Sequence, residues 1–284
     1  MPVQSDCTNV VPANVRTHQC KRGRCEWVVQ PISQCEFVGA DGCPCGWFSV
    51  GFKSNGEYEL RAFCSFEDLL ACYQAANLIL VDIPIGLPEG PGGRDCDREA
   101  RRRLCYPRAA SVFPTPTRQT VQKVPPLPKE HDFPAAVCAE IASSGEWLDL
   151  PTFWIARKIA EVDNALRARG TGKQPRVREV HPELCFWALH EKNPMEHNKN
   201  AREQKGVEER IKVLKSVEPR ARNIYDAGCS KFFRKCVDRD DIVDALVAAV
   251  TARKGWPNDF QTLPVNPPVD ERELPMEMVF WEPP

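Results

Sequence analysis

Residues 78–86 read LILVDIPIG, a continuous apolar run that contains one charged residue, Asp82, and is stopped by Pro84. Such a run is typical of a strand that is covered on both faces of a sheet, as in α/β proteins. The strand itself does not need the carboxylate, and burying one costs free energy unless a donor, a cation or a metal compensates it. The run therefore predicts an α/β core with a functional acid near the end of one strand.

Short strands and helices surround this run in the order expected of an α/β domain. Strands are predicted at 37–41, 47–52 and 57–63, the last two joined across Asn55-Gly56, a favoured pair for a tight hairpin turn. Ser65 predicts the start of a helix, with Asp68 three residues later completing a near capping box. Further predicted elements are helices at 95–104, 133–143, 152–169, 198–216 and 238–254, a strand at 176–181 and a closing strand in the terminal MEMVFW.

The chain of 284 residues is long enough for one large domain or for a domain with an appendage. Residues 1–36 are polar and have no clear period, so we predict an irregular N-terminal extension. Residues 37–284 are predicted to form the main domain. Within it, the segment at about 86–175 is predicted to be a helical insertion.

Charge is distributed unevenly along a chain whose formal net charge is only −1. Residues 94–129 carry nine Lys and Arg against three acids, and residues 196–239 carry twelve against seven, which gives local charges of +6 and +5. These segments could form a phosphate-facing surface, and they could equally be ordinary solvated helix faces.

The cysteines and the hydropathy of the chain indicate the cellular compartment in which the protein is expected. The 14 cysteines are irregularly spaced, many of them within apolar runs, and the first ten residues do not resemble a signal peptide. We therefore expect free thiols in a reducing, cytoplasmic environment. No run of 18 apolar residues is present, so no membrane partner is expected.

Four acids stand where solvent exposure is not the obvious explanation: Asp41, Asp82, Asp241 and Asp244. Asp41 and Asp82 lie near the carboxyl ends of predicted strands, where open α/β sheets bind ligands. Asp241 and Asp244 are three apart at the start of a helix, so they share one surface. If that helix lies against the strand ends, the four carboxylates converge and a hard divalent cation is their natural counter-charge. Alternatively, the DRDD sequence at 238–241 is only a helix cap, and Asp41 is a turn former before Gly42.

A second group of titratable residues occurs in REVHPELCFW. Strand alternation places Glu179 and His181 on one face, so either residue could join the acids or orient a water. Equally, His181 could be a hydrogen-bonded structural histidine.

Several strings of the sequence resemble the domain-of-unknown-function 429 family, which is described as predicted nucleases with an RNase H-like fold. They are GADGCPCGW, VDIPIGLP, SVFPTPTR, EVHPELCFWAL, DDIVDALVAAVTA and MEMVFW, with the spaced sets Arg94, Asp97, Ala100, Arg101 and Lys199, Gly206, Arg210. The resemblance covers about residues 37–282. It implies an RNase H-like mixed five-stranded sheet flanked by helices, with the first three strands antiparallel.

The resemblance also implies an activity. In resolvases of the RuvC type, acids come from the first strand, the fourth strand and a DxxDA sequence that opens the last helix. The corresponding positions here are Asp41, Asp82 and the pair Asp241 and Asp244, with Asp82 standing where the resolvases usually have Glu.

We therefore expect a metal-dependent nuclease that hydrolyses phosphodiesters with two Mg²⁺ or Mn²⁺ ions bound by these acids. Glu179 is an additional catalytic candidate. Arg94, Arg101, Arg118 and Lys199 are expected to bind the phosphates of a nucleic acid.

Two other functions are compatible with the same residues. A phosphotransferase on the same core would use GLPEGPGG at 86–93 as its phosphate loop, although that string lacks the Lys-Ser/Thr of a P-loop. A non-catalytic module for nucleic acid or protein would retain the fold without turnover. For the arginines, the alternative is that Arg98 and Arg102 pair with Asp95 and Glu99 along one helix.

Overall fold

The computed structural model describes residues 14–21, 24–126, 128–168, 176–199 and 204–284. Its strands are β1 (Asn14–Lys21), β2 (Arg24–Pro31), β3 (Phe37–Cys43), β4 (Gly46–Phe52), β5 (Tyr58–Phe63), β6 (Leu78–Asp82), β7 (Arg176–Glu179), β8 (Phe260–Leu263) and β9 (Met278–Trp281). Its α-helices are α1 (Phe66–Cys72), α2 (Asp95–Arg108), α3 (Arg118–Lys123), α4 (Phe133–Ser144), α5 (Leu150–Ala168), α6 (Pro182–Leu189), α7 (Lys205–Lys215), α8 (Ala221–Lys231) and α9 (Arg239–Gly255).

Five strands form the central mixed sheet in the order β5-β4-β3-β6-β7. β3, β4 and β5 pair antiparallel, whereas β6 pairs parallel with both β3 and β7. The predicted meander and the buried strand at 78–82 are thus confirmed. The architecture is a mixed α/β fold, consistent with the RNase H-like fold.

Helices cover both faces of this sheet. α9 packs across β3, β4 and β6, and every residue from Ile242 to Ala252 is buried. The contact is closest at Gly39, where an added Cβ would lie 2.2 Å from the carbonyl oxygen of Ala245. α1 and α5 lie on the opposite face, where Val38, Ile79 and Val81 share a core with residues of both helices.

The segment between β6 and β7 contains α2 to α5, so the predicted helical insertion is one long crossover connection. α3 is not among the helices that the sequence predicted, and its start is capped by the Thr117 hydroxyl, which accepts from the amide of Thr120. α8 was also missed by the sequence patterns, and it packs on α9, with Gly228 close to Ile242.

The two ends of the described chain lie against the domain. β1 and β2 form an antiparallel hairpin beside β5, so this part of the extension is regular rather than irregular. β9 pairs antiparallel with β8 and forms a bridge from Val279 to Val180, next to β7. The predicted closing strand is therefore confirmed. None of the helices in the described ranges has the length and apolar character needed to cross a bilayer.

Candidate metal centre

Asp41 and Asp82 lie side by side because β3 and β6 are parallel and in register. The two residues are paired across the ladder, and theirs is the last pair toward the carboxyl ends of the two strands. Alternation along each strand directs both side chains toward the face covered by α9, together with Gly39 and Leu80. The pairing thus brings together two acids that are 41 positions apart in the chain.

Asp244 joins them because α9 approaches the sheet so closely. It is adjacent to Ala245, the residue whose carbonyl lies over Gly39. A glycine is required at this contact, since any side chain would overlap the backbone of the helix. Carboxylate oxygens of Asp41, Asp82 and Asp244 all lie within 4.8 Å of one another, and these three acids are hereafter called the carboxylate cluster.

Asp241 is at the edge of this cluster. Its Oδ2 accepts a hydrogen bond of 2.7 Å from the amide of Asp238, which completes a capping box at the start of α9. Asp241 therefore takes part in the helix cap. Burial, opposed by this hydrogen bond and reinforced by nearby acids, raises the pKa of Asp241 to about 7, and its charge also raises the pKa of Asp41.

The cluster is electrostatically costly without a counter-charge. Burial, followed by the neighbouring carboxylates, raises the pKa of Asp41 and Asp82 well above the usual range. Burial also raises the pKa of Asp244 to about 6, against the opposing charge of Lys199. Asp244 is only 5% exposed, and its Oδ1 has no hydrogen-bond partner among the residues that the structure describes. An acceptor left in this state normally costs about 1–3 kcal/mol, so the site favours a bound cation.

Lys199 is the cation beside the cluster. Its ammonium donates to Asp244 Oδ2 and lies 3.7 Å from Glu183, whose carboxylate is held by Arg210 at 2.7 Å. Although burial opposes the shift, the charges of Asp244 and Glu183 raise the pKa of Lys199. The ammonium is therefore charged, and 23% of the side chain remains exposed.

Glu179 lies apart from the carboxylate cluster and is engaged by Arg94. The guanidinium of Arg94 donates to both Glu179 oxygens, at 2.6 and 2.8 Å, and to Asp97 at 2.6 Å. Glu179 also accepts from the amide of Ile85 at 2.6 Å. Arg94 is 1% exposed and Glu179 is 2% exposed, so the two residues belong to a buried ion-pair network, and in this structure the Arg94 guanidinium is not available to a phosphate.

Arg118 and Arg101 differ in their availability. Arg118 is 4% exposed and pairs with Asp163 at 2.6 Å, as well as with Glu89 and Asp270. The guanidinium of Arg101 donates from Nε to the carbonyl of Val112 at 2.9 Å, and the residue is partly exposed. Among the four expected phosphate ligands, Lys199 and Arg101 are therefore the two that a ligand can reach. Arg98 pairs with Asp95, as the alternative interpretation of that helix expected.

A cavity of about 210 Å³ opens beside Asp41 and Asp82. His181 contributes to its wall, with Nε2 3.3 Å from the carbonyl of Ser111 and Nδ1 buried without a partner in the described ranges. Burial lowers the pKa of His181, so the ring is neutral. The Ser111 contact supports the structural interpretation of this histidine.

Lys158 lines the same cavity and was missed by the sequence analysis. Its ammonium lies 3.3 Å from the carbonyl oxygen of Cys43 and 4.7 Å from the centre of the Trp47 ring. Burial lowers its pKa. A signal was present in the sequence, because Lys158 occupies an apolar-stripe position of α5, three residues after Ile155.

The fold and the site thus define an α/β protein with a three-carboxylate centre at the carboxyl ends of two parallel strands. The chain belongs to the family described as "Protein of unknown function (DUF429)", whose model matches residues 39–269. No curated protein and no solved structure matches the chain significantly.

Proposed function

We propose that this protein is a metal-dependent phosphodiester hydrolase that acts on nucleic acid. The observation that carries the proposal is the carboxylate cluster, in which oxygens from three elements lie within 4.8 Å of one another. A donor set made only of carboxylates suits Mg²⁺ or Mn²⁺ better than Zn²⁺. Oδ1 of buried Asp244 supports the same conclusion, because no residue in the described part of the chain gives it the bond that a cation would provide.

Asp41, Asp82 and Asp244 would hold the first ion. Asp241 would contribute to a second ion through Oδ1, because the hydrogen bond that the described residues make to this carboxylate, in the helix cap, uses Oδ2. When bound, such ions lower the pKa of an attacking water and stabilise the leaving oxygen of a phosphodiester.

The residues of the chain itself supply positioning and charge. Lys199 would bind a phosphate next to the cluster, and its charged and partly accessible ammonium supports this role. Arg101, on α2, offers a second contact to a phosphate. Contacts of this kind hold a nucleic-acid backbone without reading its sequence. Arg94 and Arg118 are not part of the proposed phosphate site, since buried carboxylates already occupy them.

The test is a cleavage assay with purified protein, Mg²⁺ or Mn²⁺, and single strands, duplexes, RNA–DNA hybrids and junctions. Asp41→Asn and Asp244→Asn should abolish cleavage, whereas Asp240→Asn, on the first turn of α9 and outside the cluster, should retain it. Release of ADP from ATP without cleavage would favour a phosphotransferase. Tight, salt-sensitive binding without turnover would favour a binding module.

A further inference from the structure

A second cavity of about 150 Å³ adjoins the one beside the carboxylate cluster. Its walls come from the glycine-rich loop at 90–93, the start of α2, the segment 114–117, α4, and the connection from α4 to α5. Arg94 and Asp97 line both cavities, so this ion pair is common to the two walls. We refer to the second space as the loop cavity.

Two threonines that line the loop cavity have hydroxyl groups without a hydrogen-bond partner among the described residues. Thr115 is 6% exposed and Thr152 is 1% exposed, and the Oγ1 atoms of both are buried without a hydrogen bond in the described part of the chain. Buried polar groups are nearly always paired, so two orphaned hydroxyls on residues that line one small cavity favour a polar ligand there. Each hydroxyl can donate as well as accept.

Glu140 adds an acceptor to the same wall. It is 5% exposed, and hydrogen bonds within the described chain reach only its Oε2, from the amide and the hydroxyl of Thr117, each at 3.0 Å. Oε1 is therefore available to a ligand that carries an N–H group.

The rim of the loop cavity is suited to a nucleic-acid strand. Trp147 lines it and is 67% exposed, which leaves an indole face for stacking. Arg98 and Arg101 also line the cavity, and their guanidinium groups can contact the backbone. The volume suits one planar ring system rather than a whole nucleotide.

We propose that the loop cavity receives one amino-bearing nucleobase, adenine, cytosine or guanine, from the strand whose phosphodiester lies at the carboxylate cluster. This inference rests on the proposed function and specifies its substrate. The exocyclic amino group donates to Glu140 Oε1, and a ring nitrogen accepts from a threonine hydroxyl. Thymine and uracil present a carbonyl oxygen where the amino group of cytosine stands, so the carboxylate would face another acceptor.

The proposal is tested by binding, separately from cleavage. Fluorescence anisotropy is measured for short single-stranded homopolymers of A, C and T, and of U in RNA, in EDTA and without divalent metal. A and C strands should bind about tenfold more tightly than T or U strands, because a site built for a donor rejects an acceptor. Glu140→Gln should remove this preference, since the amide also offers a donor, and Thr152→Val should weaken binding of A and C strands about tenfold.

Glu57→Gln is the matched control, because this carboxylate is exposed at the turn between β4 and β5. It should keep both the affinity and the preference. Melting temperatures of all variants establish that they are folded, and Trp147→Ala should weaken binding of every strand. Equal binding of A and T strands, a preference that survives Glu140→Gln, or no binding of any strand would each overturn the base site.

The outcomes separate the two proposals. A base preference that depends on Glu140, without cleavage under any metal condition, would retain the base site and refute the hydrolase. Cleavage that needs Asp41 but shows no preference and no dependence on Glu140 would retain the hydrolase and refute the base site.

Discussion

Replacing Asp244 with Asn should stabilise the metal-free protein while abolishing its response to divalent cations. Asn keeps the size of the side chain and can still accept from Lys199, but it removes one charge from the carboxylate cluster. Burial raises the pKa of Asp244 from 3.8 to about 6, even though the Lys199 ammonium opposes the rise. Each pKa unit corresponds to about 1.36 kcal/mol, so keeping this acid ionised in the folded state costs about 3 kcal/mol.

The sign of the pH dependence follows from the raised pKa. Below pH 3.8 the carboxyl is protonated in both the folded and the unfolded states, and the cost is absent. Between pH 3.8 and about 6 the folded state binds more protons, so its stability falls as the pH rises. Above about pH 6 the full cost is present, and Asp244→Asn removes it.

The assay is urea unfolding of the wild type and Asp244→Asn in EDTA, at about pH 8 and about pH 5. The variant should be more stable by up to about 3 kcal/mol at the higher pH and by about half of that at the lower. Thermal melts with Mg²⁺ or Mn²⁺ should then show a rise in melting temperature for the wild type only, because a folded site that binds metal is stabilised by it.

Asp240→Asn is the control, since it removes an acid from the first turn of the same helix. It should lower stability by about 0.3–1 kcal/mol through the helix dipole and keep the metal response. The reasoning is wrong if Asp244→Asn is less stable than the wild type in EDTA at the higher pH. It is equally wrong if the variant keeps the full metal-induced shift.

Three further outcomes are expected. In Gly39→Val, the new Cβ would lie 2.1 Å from the amide nitrogen of Ala249 and displace α9. The substitution should therefore lower the free energy of unfolding, measured in urea, by about 3 kcal/mol or more and remove the metal-induced rise in melting temperature. A fully retained metal response would contradict this. Arg94→Met should lower the free energy of unfolding by about 3–5 kcal/mol in the same urea assay, since it leaves the buried Glu179 and Asp97 without their cation. A decrease below about 1 kcal/mol would show that the ion-pair network does not hold α2 in place. Lys199→Gln should weaken nucleic-acid binding and reduce the slope of log affinity against log salt by about one, while Mg²⁺ still raises the melting temperature; an unchanged slope would exclude a phosphate contact.

The elements that the sequence predicted well have strong local signals. Asn55-Gly56 specifies a turn, the run at 78–82 is continuously apolar, and the helix after Asp238 has both a cap and a long apolar stretch. α8 lacks such signals because its buried side chains, Ile224, Tyr225 and Gly228, are interspersed with charged ones. Its position depends on packing against α9, which a local pattern does not record.

The residues of the candidate site differ in the same respect: some have local sequence signals, and others depend on long-range contacts. Asp82 and Asp244 were identified because each interrupts or opens an apolar element. Arg94 and Glu179 were identified for their chemistry, yet they pair with each other across 85 positions of the chain. The spacing of two distant charged residues does not indicate whether their side chains come into contact. The ion pair between Arg94 and Glu179 could therefore be found only in the folded structure.

The sequence by itself determined the strands of the central sheet and the longest helices, and it placed an acid near the end of each element that reaches the centre. Hydrophobic period, turn residues and caps act over a few positions, so they can be recognised in a linear chain. Tertiary structure alone decided which acids share a site. The in-register pairing of β3 with β6 and the contact of α9 with Gly39 set distances between residues far apart in sequence, and those distances determine whether carboxylates can bind a common ion.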